Sequence, residues 1–350
     1  MRVVVLHNAE ETLEQGDAKD ALAVVAVRAC ADAVVSGLRR LGHDGLLLPA
    51  PEQPGALLAA LERARPDVVF SLIESYRGDA ALEPAVVALL ELAGVPFTGN
   101  RSLACTLALR KPIAKALLVA AGVPVAAGIV VEREDALAAG SSARDAGHSL
   151  LAEFAARVPF PWIVKPAAED ASHGIDAGSV VFDLAAAGAR ATQIASRYDQ
   201  AAIIERFIEG RELNVGLLGS HAAPEVLPLR AIDFANFPAG RPALVTYDSK
   251  WVAGSPDWNG TNVVDADLPS ATEARVREVA LRAWKALGLT GYGRVDLRLD
   301  VDGTPVVLEA NPNPDLSPDA GFALAWGRTG ATHDQLLARI LAQAHAGPAP

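Results

Sequence analysis

The sequence predicts an α/β protein, and three observations carry that expectation. Residues 1–97 alternate short apolar runs with amphipathic helix-like stretches, the pattern of a parallel sheet with helices on both faces. Gly291–Asn311 holds two alternating apolar runs around Asp302-Gly303, the strongest short-range hairpin signal. Between these regions, Phe234–Asn262 is rich in Gly, Pro, Asp and aromatic residues. A loop of that length inside a compact domain is usually functional.

At 350 residues and 51% apolar content, the chain reads as one large globular unit or two to three lobes, with enough apolar residues for a sizeable core. A net charge of −11 and a pI near 5.1 argue against nucleic acid or an anionic membrane as the main partner. No apolar stretch reaches membrane-spanning length, since Arg28 and Asp32 interrupt Ala21–Leu41. Met1-Arg2 runs straight into Val3–Leu6, which predicts no export signal. Cys30 and Cys105 lie in apolar, helical-looking segments and read as buried thiols in a reducing compartment, the cytoplasm. Lysine is scarce, 6 against 25 arginines, so a lysine kept in a motif-like place carries information.

In order, Arg2–His7 reads as a buried strand and Asp20–Leu41 as a helix closed by Gly42. Asp44–Leu48 is a strand, Pro54–Ala64 a helix, Asp67–Ile73 a strand, and Leu82–Ala93 a helix ended by Gly94. Ligands bind such sheets beyond the strand C-terminal ends. Those ends carry Glu10 and Glu11 after the first strand and Glu74 after the third, each equally readable as a solvated loop acid. Neither G-x-G-x-x-G nor a Walker A motif is present, so no dinucleotide or P-loop site is indicated. Arg101–Ala121 reads as one helix in which Pro112 marks a kink or restart. Gly128–Val131 is a strand, and Glu132–Arg157 is helical with a break at Gly140–Ser142.

Phe160–Pro166 is a strand ending on Lys165, a cation that a buried strand end must pair. The small, polar loop Ala167–Ser179 can lay backbone N–H groups over phosphates and close as a lid. Ala201–Ile208 and Glu212–Leu218 read as a hairpin about Glu209-Gly210-Arg211. Thr272–Leu287 is a helix with Gly288 beyond it. Ser317-Pro318-Asp319 reads as a helix N-cap with Pro at the first helical position and Asp319 in the first turn.

Taking Asp302-Gly303 as a two-residue loop puts Val301 opposite Thr304. Asp296 then faces Glu309, Arg294 faces Asn311, Val295 faces Ala310 and Leu297 faces Leu308. One face is apolar. The other gathers Arg294, Asp296, Glu309 and Asn311. Opposed carboxylates with β-carbons roughly 5 Å apart need a cation. Oxygen ligands without nearby His or Cys suit Mg²⁺ or Mn²⁺ shared with substrate phosphates. The competing reading is a solvated strand face on which Arg294 and Arg298 pair the acids.

The run RVDLRLD, followed by PVVLEANPNP, resembles the metal-binding strands of the ATP-grasp superfamily. It is most similar to the D-alanine–D-alanine ligase family, whose pattern is R-x-D on one strand and E-x-N on the next. The resemblance implies the ATP-grasp fold: an N-terminal parallel-sheet domain (1–97), then two α+β lobes (98–205 and 206–350) enclosing ATP. It also implies that Asp296, Glu309 and Asn311 ligate two Mg²⁺ ions and that Arg294 stabilises a tetrahedral intermediate. Pro96–Gly122, FPWIVKP, IERFIEGRE and YDSKW extend the likeness. By it, Lys111, Lys165 and Lys250 hold phosphates, and Ser172 is the one hydroxyl left of the family's adjacent serines. Glu205, Arg206, Phe207 and Ile208 face the adenine, largely through backbone groups, and Glu212 holds the ribose. The implied activity joins a small-molecule carboxylate to an amine through an acyl phosphate, forming ADP. The implied setting is cytoplasmic, and a homodimer is compatible with it. A phosphotransferase on the same fold and a non-catalytic nucleotide-binding module are the alternatives.

The substrate end departs from the family pattern. The family's His-Gly after the third strand is replaced by Ser71–Ser75. Ala171 replaces one serine, and Trp251 replaces a tyrosine. Asp315 and Asp319 fall where the family places an oxyanion-hole glycine and a serine for the acceptor's carboxylate. These acids, with Glu10, Glu11 and Glu74, predict an acceptor that is cationic or lacks a carboxylate, because like charges repel in a low-dielectric site.

Overall fold

The structure, a computed structural model, describes residues 1–9, 21–138 and 144–345. Glu10, Glu11 and the expected break at Gly140–Ser142 lie outside the described residues. Three sheets organise the rest. In the first, β1 (Arg2–His7) is central between β2 (Asp44–Pro49) and β3 (Val68–Leu72), all parallel. Val3–Leu6 are buried because helices cover both faces, as parallel sheets require. The α/β expectation therefore holds.

The second sheet is antiparallel: β4 (Gly128–Val131), β5 (Trp162–Pro166), β6 (Val180–Val181) and β7 (Ala202–Arg206), in the order β4-β7-β5-β6. Its core forms where Trp162, Val164 and Ile204 meet Ala191 and Ile194 of the helix Leu184–Tyr198. The third sheet holds β8 (Glu212–Gly219), β9 (Pro224–Val226), β10 (Arg230–Asp233), β11 (Asn262–Asp265), β12 (Gly291–Leu299) and β13 (Pro305–Asn311). Its apolar side packs on Val276, Ala280 and Trp284 of the helix Ser270–Ala286. The last helix, His333–Leu341, returns to the N-terminal domain. There Leu337 and Ile340 join the core around Val34 and Leu38, and Arg40 meets Asp334 at 2.6 Å.

Three expectations need correction. The strands on either side of Glu209-Gly210-Arg211 do not form a hairpin. β7 belongs to the second sheet and β8 to the third, so this segment carries the chain from one lobe to the other. Gly210 presses on β12 so closely that a Cβ would lie 1.4 Å from the Leu299 carbonyl oxygen. Arg211 accepts a hydrogen bond from Leu299 N–H at 3.0 Å. The segment is thus captured by a distant strand instead of folding back. Local alternation specifies a strand but not its partner.

Of the kink or restart expected at Pro112 within Arg101–Ala121, the structure shows the restart: two helices, Ser102–Leu109 and Lys111–Ala120, separated by Arg110 at φ −82° and ψ 84°. Pro112 lacks the donor to continue the first helix and sits in the opening turn of the second. The Lys111 N–H is left free of the helix and donates to the Ala167 carbonyl at 3.0 Å.

The β12–β13 loop has three residues, not two. Asp300 N–H donates to Thr304 O and Gly303 N–H to Asp300 O, both at 2.8 Å, with Gly303 at φ 75°. Leu299 consequently pairs with Pro305, and Leu297 with Val307 instead of Leu308. A bulge between Asp296 and Leu297 then restores the offset. Asp296 faces Glu309, Arg294 faces Asn311 and Val295 faces Ala310, as the sequence predicts.

Ser317 caps no helix. Its N–H and Oγ–H both donate to Asp315 Oδ1, at 2.8 and 2.7 Å. The helix starts later, at Gly321 with Ala320 before it, which leaves Asp319 outside the first turn. Asp315 closes a local side-chain turn that competes with capping. Cys30 and Cys105 are free and buried. Among the described residues, no helix is long and apolar enough to cross a membrane.

Candidate active site

A cavity of about 590 Å³ opens where the second and third sheets face each other beyond the end of β3. Its wall has three chemically distinct parts. The apolar part comprises Ile163, Ile175, Phe207 and Leu244, which form one small cluster with Val180. The crossover supplies its edge. The Arg206 and Phe207 N–H groups are spent on the Ala127 and Pro161 carbonyls, at 2.9 and 3.0 Å. Arg206 turns its side chain to Asp300, in the loop just after β12. Among the described residues, Ile208 N–H has no acceptor. The Glu205 carboxylate is buried between Lys165 Nζ, at 2.9 Å, and Lys115 Nζ. Glu212, at the start of β8, lines the cavity and directly pairs Arg298 on β12.

The second part is the hairpin face. Arg294 clamps Asp296 with two bonds of 2.7 Å, and Asn214 Nδ2 adds a third at 2.8 Å. The surface-pair reading is therefore right about Arg294, but Asp296 is 6% exposed, so this is a buried pair. Glu309 has no such clamp. Burial acts to raise its pKa, but the surrounding Lys111, Lys165, Lys250 and Arg294 outweigh burial and hold it below the usual carboxylate range. Lys111 Nζ is 3.9 Å from Glu309 Oε2 and also donates to the Glu169 carbonyl. Lys250 is drawn below the usual lysine range by burial and by Arg294, against the pull of Glu309 and Asp296. Lys165 shows the reverse balance: burial lowers it, yet Glu205 and Glu309 win and raise it. Asn311 Oδ1 already accepts Asn313 N–H at 2.8 Å and retains a second lone pair.

Among the described residues, no three His, Cys, Asp or Glu side chains are placed to hold a metal by themselves. Asp296, Glu309 and Asn311 offer an all-oxygen set of two acids and one amide. That set fits a hard cation completed by other oxygens, the usual situation for Mg²⁺ at phosphates.

The loop after β5 closes one side. Ala171 and Ser172 both adopt left-handed backbone, φ 53° and 63°. Trp251 Nε1–H donates to the Ala171 carbonyl at 2.9 Å, and Ser172 Oγ–H donates to the Val245 carbonyl at 3.4 Å. The expected phosphate loop and the segment carrying Lys250 are thereby joined.

The third part is acidic: Glu74, Glu83, Asp170, Asp315 and Asp319 all line the cavity. Burial, with Asp315 and Asp170 adding to it, pushes Glu74 up to about 8. Asp170 is raised by burial and Glu309, with Lys111 holding it back.

Of the residues singled out by sequence, Lys111 touches Glu309 from just outside the cavity wall, and every other described one lines the cavity. Sequence reasoning missed Lys115, Asp170 and Asn214, and named Arg298 only as a partner for the hairpin's own acids, whereas it pairs Glu212. Lys115 carried a usable signal, since it lies one helical turn after Lys111.

A family model described as the D-ala D-ala ligase C-terminus matches residues 117–342. The chain is 33% identical to a D-alanine–D-alanine ligase of Gluconobacter oxydans, over 82% of this chain and 84% of that protein. It is 32% identical to the uncharacterised protein y4sG of Sinorhizobium fredii, over 90% and 87%. A crystal structure of D-alanine–D-alanine ligase from Bacillus anthracis complexed with ATP superposes with a TM-score of 0.73 at 18% identity, covering 98% of this chain and 97% of that one. VanG D-Ala:D-Ser ligase from Enterococcus faecalis gives 0.70 at 18% identity, covering 98% and 99%. At such identity the structural likeness speaks for the fold, which is the ATP-grasp fold.

Proposed function

This chain belongs to the D-alanine–D-alanine ligase family of ATP-dependent C–N ligases, and on that premise we propose that it joins a small carboxylic acid to an amine through an acyl phosphate. The observation that carries this reading is the single cavity in which an apolar base site, a cationic ring around Glu309 and an acidic wall follow one another.

The base lies between Ile163, Phe207 and Leu244 and meets the Ile208 N–H. Its ribose is held by Glu212. Lys111, Lys165 and Lys250 hold the phosphates, and the loop at Ala171-Ser172 excludes water above them. Asp296, Glu309 and Asn311 would hold two Mg²⁺ ions, with Mn²⁺ an alternative; when bound, these neutralise charge on the transferring phosphoryl group. A carboxylate oxygen of the first substrate attacks the γ-phosphorus, and ADP leaves. The amine nitrogen of the second substrate then attacks the acyl carbon, and phosphate leaves. Arg294 stabilises the oxyanion of that second step with the donors Asp296 does not use. The work done by these residues is positioning and electrostatic stabilisation. The enzyme acts on small molecules, and we place it in the cytoplasm.

The test is a screen of amino acids in pairs for ADP release, with Glu309→Gln as the control. Wild type is expected to need both substrates and a divalent ion. Glu309→Gln is expected to fold normally and to lose turnover. ADP release that requires a carboxylate but no amine would favour a phosphotransferase, and turnover in EDTA would remove the metal assignment.

A further inference from the structure

Arg298 lies two residues beyond Asp296 on β12, on the same strand face. It is 2% exposed, yet it lines the cavity. Its Nε and Nη2 donate to the same oxygen, Oε2 of Glu212, at 2.9 and 2.8 Å, across the directly paired strand β8. Nη1 donates to the Ile208 carbonyl and Nη2 to the Ala243 carbonyl, each at 2.7 Å. The Phe207 ring lies 4.9 Å and the Phe234 ring 5.8 Å from the guanidinium carbon. One planar side chain thus joins the crossover, the first residue of β8 and the loop after β10.

The consequence falls on Glu212. Both bonds from Arg298 land on Oε2, and among the described residues nothing donates to Oε1. One oxygen is committed to the protein, and the other keeps its lone pairs for the cavity. A guanidinium can make this fork while bonding two carbonyls in its own plane. An ammonium is a point donor and cannot, and an apolar chain would leave the carboxylate free to rotate. We infer that Arg298 is the positioning residue for ribose recognition: it orients Glu212 so that Oε1 accepts a nucleotide hydroxyl. The inference rests on the reading of Glu212 as the ribose acceptor.

The experiment is calorimetry on the full chain with Mg²⁺, titrating ATP, 2′-deoxyATP and 3′-deoxyATP. Wild type is expected to bind ATP about tenfold or more tightly than the analogue lacking the accepted hydroxyl, the worth of one charge-assisted hydrogen bond. Arg298→Met is expected to bring that ratio close to one, with Arg298→Lys in between. A residue that merely supports the fold would weaken all three nucleotides alike and leave the ratio at its wild-type value; that result overturns the inference. Glu212→Ala separates the two layers. If it leaves the ratio unchanged, or if wild type shows no discrimination, Glu212 is not the ribose acceptor and the underlying reading fails. If Glu212→Ala abolishes the ratio while Arg298→Met does not, only the assignment of Arg298 fails. Should Arg298→Met not fold, Arg298→Lys carries the same comparison, because the charge remains while the fork is lost.

Discussion

Replacing Lys165 with Met separates its two jobs. Its side chain is 7% exposed, and its ammonium lies 2.9 Å from Glu205, which is 3% exposed. Leaving a buried charge without its partner costs about 3–5 kcal/mol. Here Lys115 still holds the other oxygen of Glu205, so the expected loss of stability without nucleotide is smaller, about 1–3 kcal/mol. The loss of nucleotide affinity is a separate quantity. A charge-assisted contact to a phosphate oxygen is worth about 1–3 kcal/mol, which is roughly a 5- to 150-fold rise in Kd. Thermal unfolding without nucleotide measures the first effect, and calorimetric titration with ATP measures the second. If Lys165→Met lowers the melting temperature but binds ATP as wild type does, Lys165 is only a counter-ion for Glu205, and the phosphates lie elsewhere.

Three further outcomes follow from the structure. Glu74 is pushed up to about 8, so the folded state holds this proton more tightly than the unfolded state. Its contribution makes stability fall as pH rises from about 4.5 to about 8, and Glu74→Gln should remove that slope from a melting series; identical slopes in both proteins would contradict it. D-alanine should be a poorer acceptor than D-alaninamide or a diamine, because Asp315 and Asp319 line the cavity and would repel its carboxylate; a higher kcat/KM with D-alanine would reverse that reading. Gly210→Ala should cost more than about 3 kcal/mol, since its Cβ would meet the Leu299 carbonyl oxygen at 1.4 Å; a melting temperature near wild type would show that the crossover can shift.

Much of the site was legible because strand alternation is local. A period of two places Arg294 and Asp296 on one face of β12, and the facing strand brings Glu309 and Asn311 opposite them. The agreement depended on two compensating errors. The loop is one residue longer than the Asp-Gly signal suggests, and the bulge beside Asp296 absorbs the difference. Pattern reading cannot see a bulge, because the extra residue changes the partner strand's register and not the alternation of its own neighbours.

By itself, the sequence determined the parallel N-terminal sheet, the strands and helices within a residue or two over most of the chain, and the cluster of Arg294, Asp296, Glu309 and Asn311 on one hairpin face. Each of these follows from contacts between near neighbours in sequence: periodicity, proline and glycine punctuation, and the short path around one hairpin. Only the tertiary structure decided that β7 and β8 part company, that Glu205 pairs both Lys115 and Lys165, and that Arg298 commits one oxygen of Glu212. These pairings join residues that are distant along the chain. They are settled by which buried charge finds a counter-charge in low dielectric and which strand edge is left to accept a partner, and neither is written in the local pattern of either segment.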